Sequence, residues 1–199
     1  DGRVAMGYQT TASGSESTAT GYKTTASGSK STAMGSMTTA SGSDSTATGY
    51  KTTASGSSSI AMCASTTASG PSSTAMGYKT TASGSDSTAM GSMTTASGGK
   101  STAMGYKTKA ESMAETVVGQ YNALGTSADA WWATTDAAFR VGIGTSEKDR
   151  KDALTVYKDG RVAMGHTTVY KDGRVAMGYQ TTASGSESTA TGYKTSASG

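Results

Sequence analysis

The chain has 199 residues, of which 27 are Gly and one is Pro, and its apolar fraction is 34%, much of it Ala. This composition excludes an ordinary globular domain built on branched aliphatic and aromatic side chains. With a net charge of +3 and widely spaced lysines, we expect no nucleic-acid partner, and no apolar run is long enough to predict a membrane span.

Residues 12–109 consist of seven consecutive 14-residue units, each a variant of A-S-G-x-x-S-T-A-M-G-x-x-T-T, without insertion or deletion. A fixed period carried by small residues is typical of a solenoid in which each unit is one coil. The Ser/Thr/Gly-rich composition alone would also be compatible with disorder, but the exact period argues against it. We therefore predict an all-β chain, a β-solenoid whose coils contain two strands of three to five residues.

In the second unit, residues 31–34 are predicted to form one strand, closed by Gly35, and residues 37–40 to form another. Because strand side chains alternate between faces, Ala33 is expected to point inward and Met34 outward. The inward Ala residues then stack in two columns. One comprises Ala19, Ala33, Ala47, Ala61, Ala75, Ala89 and Ala103, and the other comprises Ala12, Ala26, Ala40, Ala54, Ala68, Ala82 and Ala96.

The outward stripe contains Met at most units and Thr at Thr20 and Thr48. Its methionines are Met34, Met62, Met76, Met90 and Met104. A core of Ala buries little apolar area at about 25 cal/mol per Å², whereas ordering each residue costs about 1–2 kcal/mol. Such a stripe fits a binding groove or a subunit interface. We favour the interface, because association is a common way to stabilise a chain whose own core is too small.

The turns carry two more periodic patterns. The fifth position of successive units runs Glu16, Lys30, Asp44, Ser58, Ser72, Asp86, Lys100, so that charged neighbours in the stack have opposite signs, an arrangement expected to stabilise it. Every second unit carries a Tyr-Lys pair, at Tyr22-Lys23, Tyr50-Lys51, Tyr78-Lys79 and Tyr106-Lys107. Both patterns are typical of parallel, in-register stacking.

The segment Ser31-Thr32-Ala33-Met34-Gly35, followed by Ala40-Ser41-Gly42, resembles the head repeat of trimeric autotransporter adhesins of the YadA type and related repeats of phage and marine bacterial fibre proteins. This resemblance implies a left-handed parallel β-roll, three chains packed about one axis, and an extracellular role as a stalk or adhesive head. The family usually has Val or Ile where this chain has Thr and Met, which implies a softer trimer core.

Residues 124–171 break the period and are predicted to form a connector between a roll at 1–123 and the start of another at 172–199. We predict strands at 139–143 and 153–157, a polar loop at 145–152 and a hairpin turn at Lys158-Asp159-Gly160. Seven apolar residues are expected to form its core: Trp131, Trp132, Phe139, Val141, Ile143, Leu154 and Val156.

The connector sequence resembles a module of bacterial and phage fibre proteins with W-x-x-T-D, F-x-V-G-x-G-T and A-L-T-V-x-K-D-G segments, here beginning at Trp132, Phe139 and Ala153. The resemblance implies a connector that locks a trimer and resets its register. The hairpin sequence of residues 156–165 recurs at 169–178, which predicts a second hairpin.

A longer repeat is also present, because Asp1–Gly28 reappear as Asp172–Gly199 with one difference, Thr25 against Ser196. This implies a repeat of 171 residues, so we expect the chain to be a segment of a longer fibre that continues end to end.

Motifs for chemistry are absent from the sequence. Gly142-Ile143-Gly144 lacks the third Gly of a dinucleotide loop, and His166 has no spaced metal ligands around it. Cys63 replaces the strand-closing Gly of its unit; it is expected to be a free thiol, with a crosslink between chains as the alternative. We predict no enzyme, cofactor or metal site.

The predicted function is that of a structural segment of an extracellular fibre, possessing adhesive surfaces that repeat along it. Its oligomer interface is predicted to contain Met34, Met62, Met76, Met90, Met104, Trp131, Trp132, Phe139 and Leu154. Any surface receptor is left unspecified. The alternative is a ligand- or ice-binding solenoid that uses one column of the doubled threonines, since adjacent threonines point to opposite faces.

Overall fold

A computed structural model of the chain describes residues 2–125, 132–165, 168–169, 175–185 and 188–198, and these contain β-strands and turns but no helix. The strands are β1 (Val4–Tyr8), β2 (Thr11–Ala12), β3 (Thr18–Tyr22), β4 (Thr25–Ala26), β5 (Thr32–Ser36), β6 (Thr39–Ala40), β7 (Thr46–Tyr50), β8 (Thr53–Ala54), β9 (Ile60–Ala64), β10 (Thr67–Ala68), β11 (Thr74–Tyr78), β12 (Thr81–Ala82), β13 (Thr88–Ser92), β14 (Thr95–Ala96), β15 (Thr102–Tyr106), β16 (Lys109–Ala110), β17 (Thr116–Gln120), β18 (Ala137–Ile143), β19 (Asp152–Tyr157), β20 (Val162–Met164), β21 (Thr168–Val169), β22 (Val175–Tyr179), β23 (Thr182–Ala183), β24 (Thr189–Tyr193) and β25 (Ser196–Ala197).

The five-residue strands of the coils pair side by side into one long sheet, which runs from β1 through β17, β18, β19 and β20 to β22 and β24. The two-residue strands, which are the even-numbered strands from β2 to β16, form a second, short sheet. Strands β21, β23 and β25 form another short sheet. Within the roll, neighbouring strands are parallel and exactly one repeat apart, as in Thr18↔Thr32 and Ala26↔Ala40. The predicted parallel β-solenoid of 14-residue coils is confirmed, whereas its left-handed winding stays a prediction.

The two strands of a coil are less alike than the sequence suggests. The first strand continues through Gly35 to Ser36, and the second contains only Thr39 and Ala40. Met37, predicted to start the second strand, has a φ of 57° and belongs to the turn. The left-handed backbone at Met37 redirects the chain, so pairing resumes only two residues later.

Inside the coils, the two predicted Ala columns are fully buried, except that Ala12, at the end of its column, is half-buried. Buried hydroxyl residues stand beside them, for example Ser17, whose Oγ donates a 2.7 Å hydrogen bond to the carbonyl oxygen of Gly14. The first branched aliphatic residue of this core is Val117. The interior of a coil is therefore as thin as the sequence predicts.

Glycine at the end of the first strand is required by the stacking of the coils. Gly91 has a φ of 122°, and a Cβ built on it would overlap the carbonyl group of Gly105 in the next coil. Cys63 occupies the equivalent position in β9. Its φ is 86°, whereas the glycines at this position in the coils before and after it, Gly49 and Gly77, have φ values of 125° and 119°. The close approach of successive backbones therefore disfavours a side chain at this position, and the chain carries one at Cys63 only with an altered φ.

The long sheet continues through the connector by reversing direction twice. β18 is parallel to β17, β19 is antiparallel to β18, and β20 is antiparallel to β19, which makes β20 parallel to β22. The predicted strands at 139–143 and 153–157 and the hairpin that follows them are confirmed. The second hairpin was a wrong prediction, because Val169 belongs to a short sheet while β22 belongs to the long one.

The predicted hydrophobic core of the connector is also wrong for a single chain. Trp132 and Ile143 are exposed, and Phe139, Val141, Leu154 and Val156 are only half-buried, whereas Trp131 lies outside the described residues. The register explains this, since Val117 pairs with Arg140, Arg140 with Thr155, and Thr155 with Ala163. Arg140, Thr155 and Ala163 therefore occupy the inward positions, and most of the predicted core residues face outward.

Candidate interaction surface

A continuous column of mostly apolar side chains lies on the outward face of the long sheet, and we call it the apolar column. The strand register joins Met62 to Met76 and onward to Met104, and beyond the roll it joins Val118 to Val141, Leu154, Met164 and Met177. Its members are Met6, Thr20, Met34, Thr48, Met62, Met76, Met90, Met104, Val118, Val141, Leu154, Met164 and Met177.

This register brings most of the predicted interface residues together. Met34 is 41% exposed, and Met62, Met76, Met90 and Met104 are half-buried, as is Leu154 further along the same column. Phe139 lies in the neighbouring column on the same face, where it pairs with Thr116 and Val156. An apolar line of this length on an outward face is typical of an interaction surface.

The sequence did not reveal that Val118, Val141 and Met164 extend this column. Their positions depend on the pairing of β17 with β18 across residues 121–136, and on the two reversals that follow. The available signal was the alternation within Phe139-Arg140-Val141, which places a charged residue inward and two apolar residues outward.

Trp132 stands apart from the apolar column. Its ring is 56% exposed, and the Nζ atom of Lys158 lies 4.7 Å from the ring centroid. Lys158 also pairs with Asp136, at 3.3 Å between Nζ and Oδ2. The indole therefore packs on a locally neutralised lysine, and its interface role stays a prediction.

A buried ion cluster closes the end of the first roll. Arg140 Nε donates to Glu115 Oε1 at 2.7 Å, and Arg140 Nη1 donates to Asp152 Oδ2 at 2.8 Å. The other oxygen of Glu115 accepts from the backbone N–H groups of Glu111 and Ser112. Burial opposes the charge of Arg140, but its hydrogen bond with Asp152 and the nearby Glu115 charge outweigh this and raise the pKa of Arg140. The cluster fixes β18 and β19 to the last coil.

Asn122 ends the short sheet. It occupies the position held in earlier coils by a buried Thr, such as Thr108, and its own side chain is fully buried. Its Oδ1 accepts from the backbone N–H of Lys109 at 2.8 Å, and its Nδ2 donates to the carbonyl of Lys109 at 2.9 Å. The amide side chain therefore satisfies the edge of β16 as another strand would.

The polar loop predicted between β18 and β19 is tied down by ion pairs and hydrogen bonds. Arg150 pairs with Glu147 at 2.7 Å and donates to the carbonyl oxygens of Lys107 and Asn122 at 3.1 and 3.2 Å. The hydrogen bond from Arg150 lowers the pKa of Glu147. These contacts within one chain anchor the loop on the roll.

The charged fifth-position residues stack as predicted but do not pair. Backbone bonds join successive turns, as in Lys30 N–H to Ser15 O at 2.7 Å. Among the described residues, no ion pair joins the side chains of this column, and Asp44 instead accepts from Ser43 Oγ at 3.0 Å. Exposed ion pairs gain little over hydration, so their contribution to the stack is small.

The opposite turn carries the Tyr-Lys pairs, which form a regular surface feature. In three of them, at Lys23, Lys51 and Lys79, Nζ lies 5.2 Å from the centroid of the preceding tyrosine ring. In the fourth pair, Tyr106-Lys107, the lysine also reaches Tyr121 in the next coil. A hydrogen bond between Lys107 and Tyr121 lowers the pKa of Tyr121 and raises the pKa of Lys107. Ammonium groups and aromatic rings are therefore held together along this edge.

No cluster of three potential metal ligands occurs within the described residues, and none of those residues forms a helix able to cross a bilayer. His166, considered above as a lone ligand, lies outside them.

The family model described as the YadA head domain repeat matches residues 4–24, 26–52, 40–62, 68–92, 96–113 and 175–195. No curated protein matches the chain. The matched segments cover more than half of the sequence and coincide with the regular coils, whereas the connector is unmatched. The chain therefore belongs to the YadA head domain repeat family.

Proposed function

We propose that the chain is a segment of a long extracellular fibre in which three identical chains associate along the apolar column. The family is of a structural, adhesin type, which supports a role at the cell surface. The single observation that carries the proposal is the unbroken outward column, which runs along the long sheet and through the connector.

The energetics of one coil support association. Its own core contributes Ala side chains, while its largest apolar side chain, such as Met76 or Met90, points outward. Full burial of an exposed Met side chain stabilises a protein by about 1.5–3 kcal/mol, and because these methionines are already half-buried, association would add part of that amount at each coil. The contribution repeats along the column, whereas the Ala interior gains nothing from association. Association thus supplies the stability that a single chain lacks.

The connector would join two rolls without a hinge. We propose the division into a roll at 1–123, a connector at 124–171 and a further roll at 172–199. The end of the short sheet at β16 supports the first boundary, and the start of another short sheet at β21 places regular pairing within a few residues of the second. The ion cluster around Arg140 would keep this joint stiff, which suits a stalk.

The test is the mass of the 199-residue chain in solution, measured by light scattering, with a trimer expected at three times 19.8 kDa. The triple variant Met62→Lys, Met76→Lys, Met90→Lys is expected to abolish the trimer. The matched control, Thr53→Lys, Thr67→Lys, Thr81→Lys, changes an outward column of the short sheet where the chain itself places Lys109. A wild type that is a folded monomer, or a control that dissociates equally, would contradict the proposal.

Ice or ligand binding by threonine is the second candidate, and one observation favours it. In the six Thr-Thr pairs of the regular units the first residue is buried, whereas the second forms a half-exposed, regularly spaced column on the short sheet: Thr25, Thr39, Thr53, Thr67, Thr81 and Thr95. A single column is narrow for a crystal-binding plane, so we expect no thermal hysteresis from the chain. Hysteresis that disappears in the Thr→Lys variant would establish this second function instead.

A further inference from the structure

We propose that the Tyr-Lys edge of the roll, formed by Tyr22-Lys23, Tyr50-Lys51, Tyr78-Lys79 and Tyr106-Lys107, binds a linear acidic polysaccharide that has one carboxylate per disaccharide. This inference deepens the proposed adhesive fibre and rests on the edge remaining open on that fibre. It is carried by the exposure, the charge and the spacing of these four pairs.

The pairs are open to solvent and repeat in the same geometry. The four tyrosines are 43%, 47%, 46% and 40% exposed, and the ammonium group of each pair lies 5.2 to 5.6 Å from its ring centroid. The intervening coils place the small residues Ser36, Ala64 and Ser92 between the rings. The edge is therefore a row of shallow notches, each bounded by tyrosines.

From Lys23 to Lys79 the charged groups of this edge have one sign. The turn position that holds Lys23 is occupied in neighbouring coils by Gln9 and Met37, and further along by Ser65 and Met93, with no carboxylate in the series. The opposite turn, by contrast, mixes Glu16, Asp44 and Asp86 with lysines. Among the described residues, Lys23, Lys51 and Lys79 have no ion-pair partner, and Lys107 meets Glu147 at 3.8 Å. Such an edge attracts a polyanion.

The spacing selects the kind of polyanion. Pairs on alternate coils are about 9.6 Å apart, which is two strand spacings. An extended β-linked hexose chain turns over at each sugar, so its disaccharide is the repeating unit and advances by a comparable length. Phosphates of duplex DNA follow each other at about 3.4 Å per strand and do not match this row. Each pair offers an ammonium to a carboxylate, and Tyr50 and Tyr78 offer a ring to the C–H face of a sugar. The ring of Tyr22 also stacks on Tyr8, and the ring of Tyr106 meets Tyr121 edge-on, each at 5.4 Å between centroids.

The experiment measures binding of the full 199-residue chain to unsulfated chondroitin, which has one carboxylate per disaccharide. Alginate, with one per sugar, and single-stranded poly(dT) serve as competing probes. We expect chondroitin to bind most tightly. Tighter binding of alginate would indicate general attraction to charge, tighter binding of poly(dT) would indicate a nucleic-acid surface, and either result would overturn the proposal.

Two variants of equal charge test the edge itself. Lys51→Ser with Lys79→Ser is expected to weaken chondroitin binding roughly tenfold, because the contacts act together. Lys30→Ser with Lys100→Ser, on the opposite turn, should change it less than about twofold. Serine is tolerated at both turns, since Ser65 and Ser58 adopt the same left-handed backbone there. Equal losses from the two variants would overturn the assignment.

A permutation keeps the composition and changes only the spacing. Moving one pair to the next coil, by Tyr50→Ala, Lys51→Ser, Ala64→Tyr and Ser65→Lys, should weaken binding several-fold, and unchanged binding would refute the periodic match. Light scattering of the same samples separates the two proposals. A monomeric wild type contradicts the trimeric fibre, whereas a trimer that does not bind chondroitin contradicts this inference alone.

Discussion

Replacing Gly91 with Ala should uncouple two coils of the roll. Gly91 has a φ of 122°, and the added Cβ would overlap the carbonyl group of Gly105 in the next coil. Holding a non-Gly residue in such a backbone region costs about 2 kcal/mol. Displacing the strand would remove at least two ladder hydrogen bonds at about 1 kcal/mol each. Alanine lowers the entropy of the unfolded chain, which offsets about 0.7 kcal/mol of this loss. The free energy of unfolding should therefore fall by about 3 kcal/mol.

The assay is urea unfolding of the full chain, followed by far-ultraviolet circular dichroism at one protein concentration. Gly99 supplies the matched control, because it precedes the next strand of the same array and a Cβ there would meet nothing within 4 Å. Gly99→Ala should be neutral or slightly stabilising. If Gly91→Ala and Gly99→Ala differ by less than about 0.5 kcal/mol, close backbone stacking is not what requires glycine in this column.

The same reasoning predicts a gain of stability at Cys63, where the chain already carries a side chain in the glycine column. Cys63→Gly should relieve backbone strain of about 2 kcal/mol, less about 0.8 kcal/mol for the greater freedom of glycine in the unfolded state. Cys63→Ala removes the thiol and keeps the strain, so it should leave the free energy of unfolding nearly unchanged. Equal effects of the two variants would assign the change to the thiol instead.

The remaining predictions concern the end of the roll and use the same unfolding assay. Arg140→Met should destabilise the chain by about 3–5 kcal/mol, because it leaves two buried carboxylates, Glu115 and Asp152, without their cation. The control Lys151→Met, which breaks an exposed pair with Asp149, should cost less than about 1 kcal/mol, and similar losses would contradict a structural role for the cluster. Asn122→Ala should cost about 2 kcal/mol and speed amide exchange at Lys109, whereas unchanged exchange there would rule out the proposed capping of β16.

Much of the interaction surface follows from local pattern. Strand alternation alone assigns Ala33 inward and Met34 outward, and the 14-residue period then places Met62 or Met90 in the same column, as the register confirms. The turn residues were harder to assign, because the left-handed backbone at Met37 or Lys51 is not marked by glycine. In these turns hydrogen bonding between coils, rather than residue preference, determines the conformation.

The junction shows where local pattern is insufficient. Asp152 belongs to a loop rich in charge, and its pairing with Arg140 depends on an antiparallel contact between β18 and β19. The duplicated hairpin sequence makes the same point, since Val156 lies in the long sheet and Val169 in a short one. Identical residues adopt different structures there because different strands are available to pair with them.

The sequence alone determines that this protein is a parallel stack of 14-residue coils with an Ala interior and an outward Met stripe. It can do so because an exact period and side-chain alternation are local properties. Only the tertiary structure decided how the stack ends and continues. Glu115 and Arg140 become partners only when β18 pairs with β17 at the edge of the last coil, and Asp152 joins them through the reversal from β18 into β19. Pairing between strands that are not one period apart depends on long-range contacts, so no local sequence pattern could predict it.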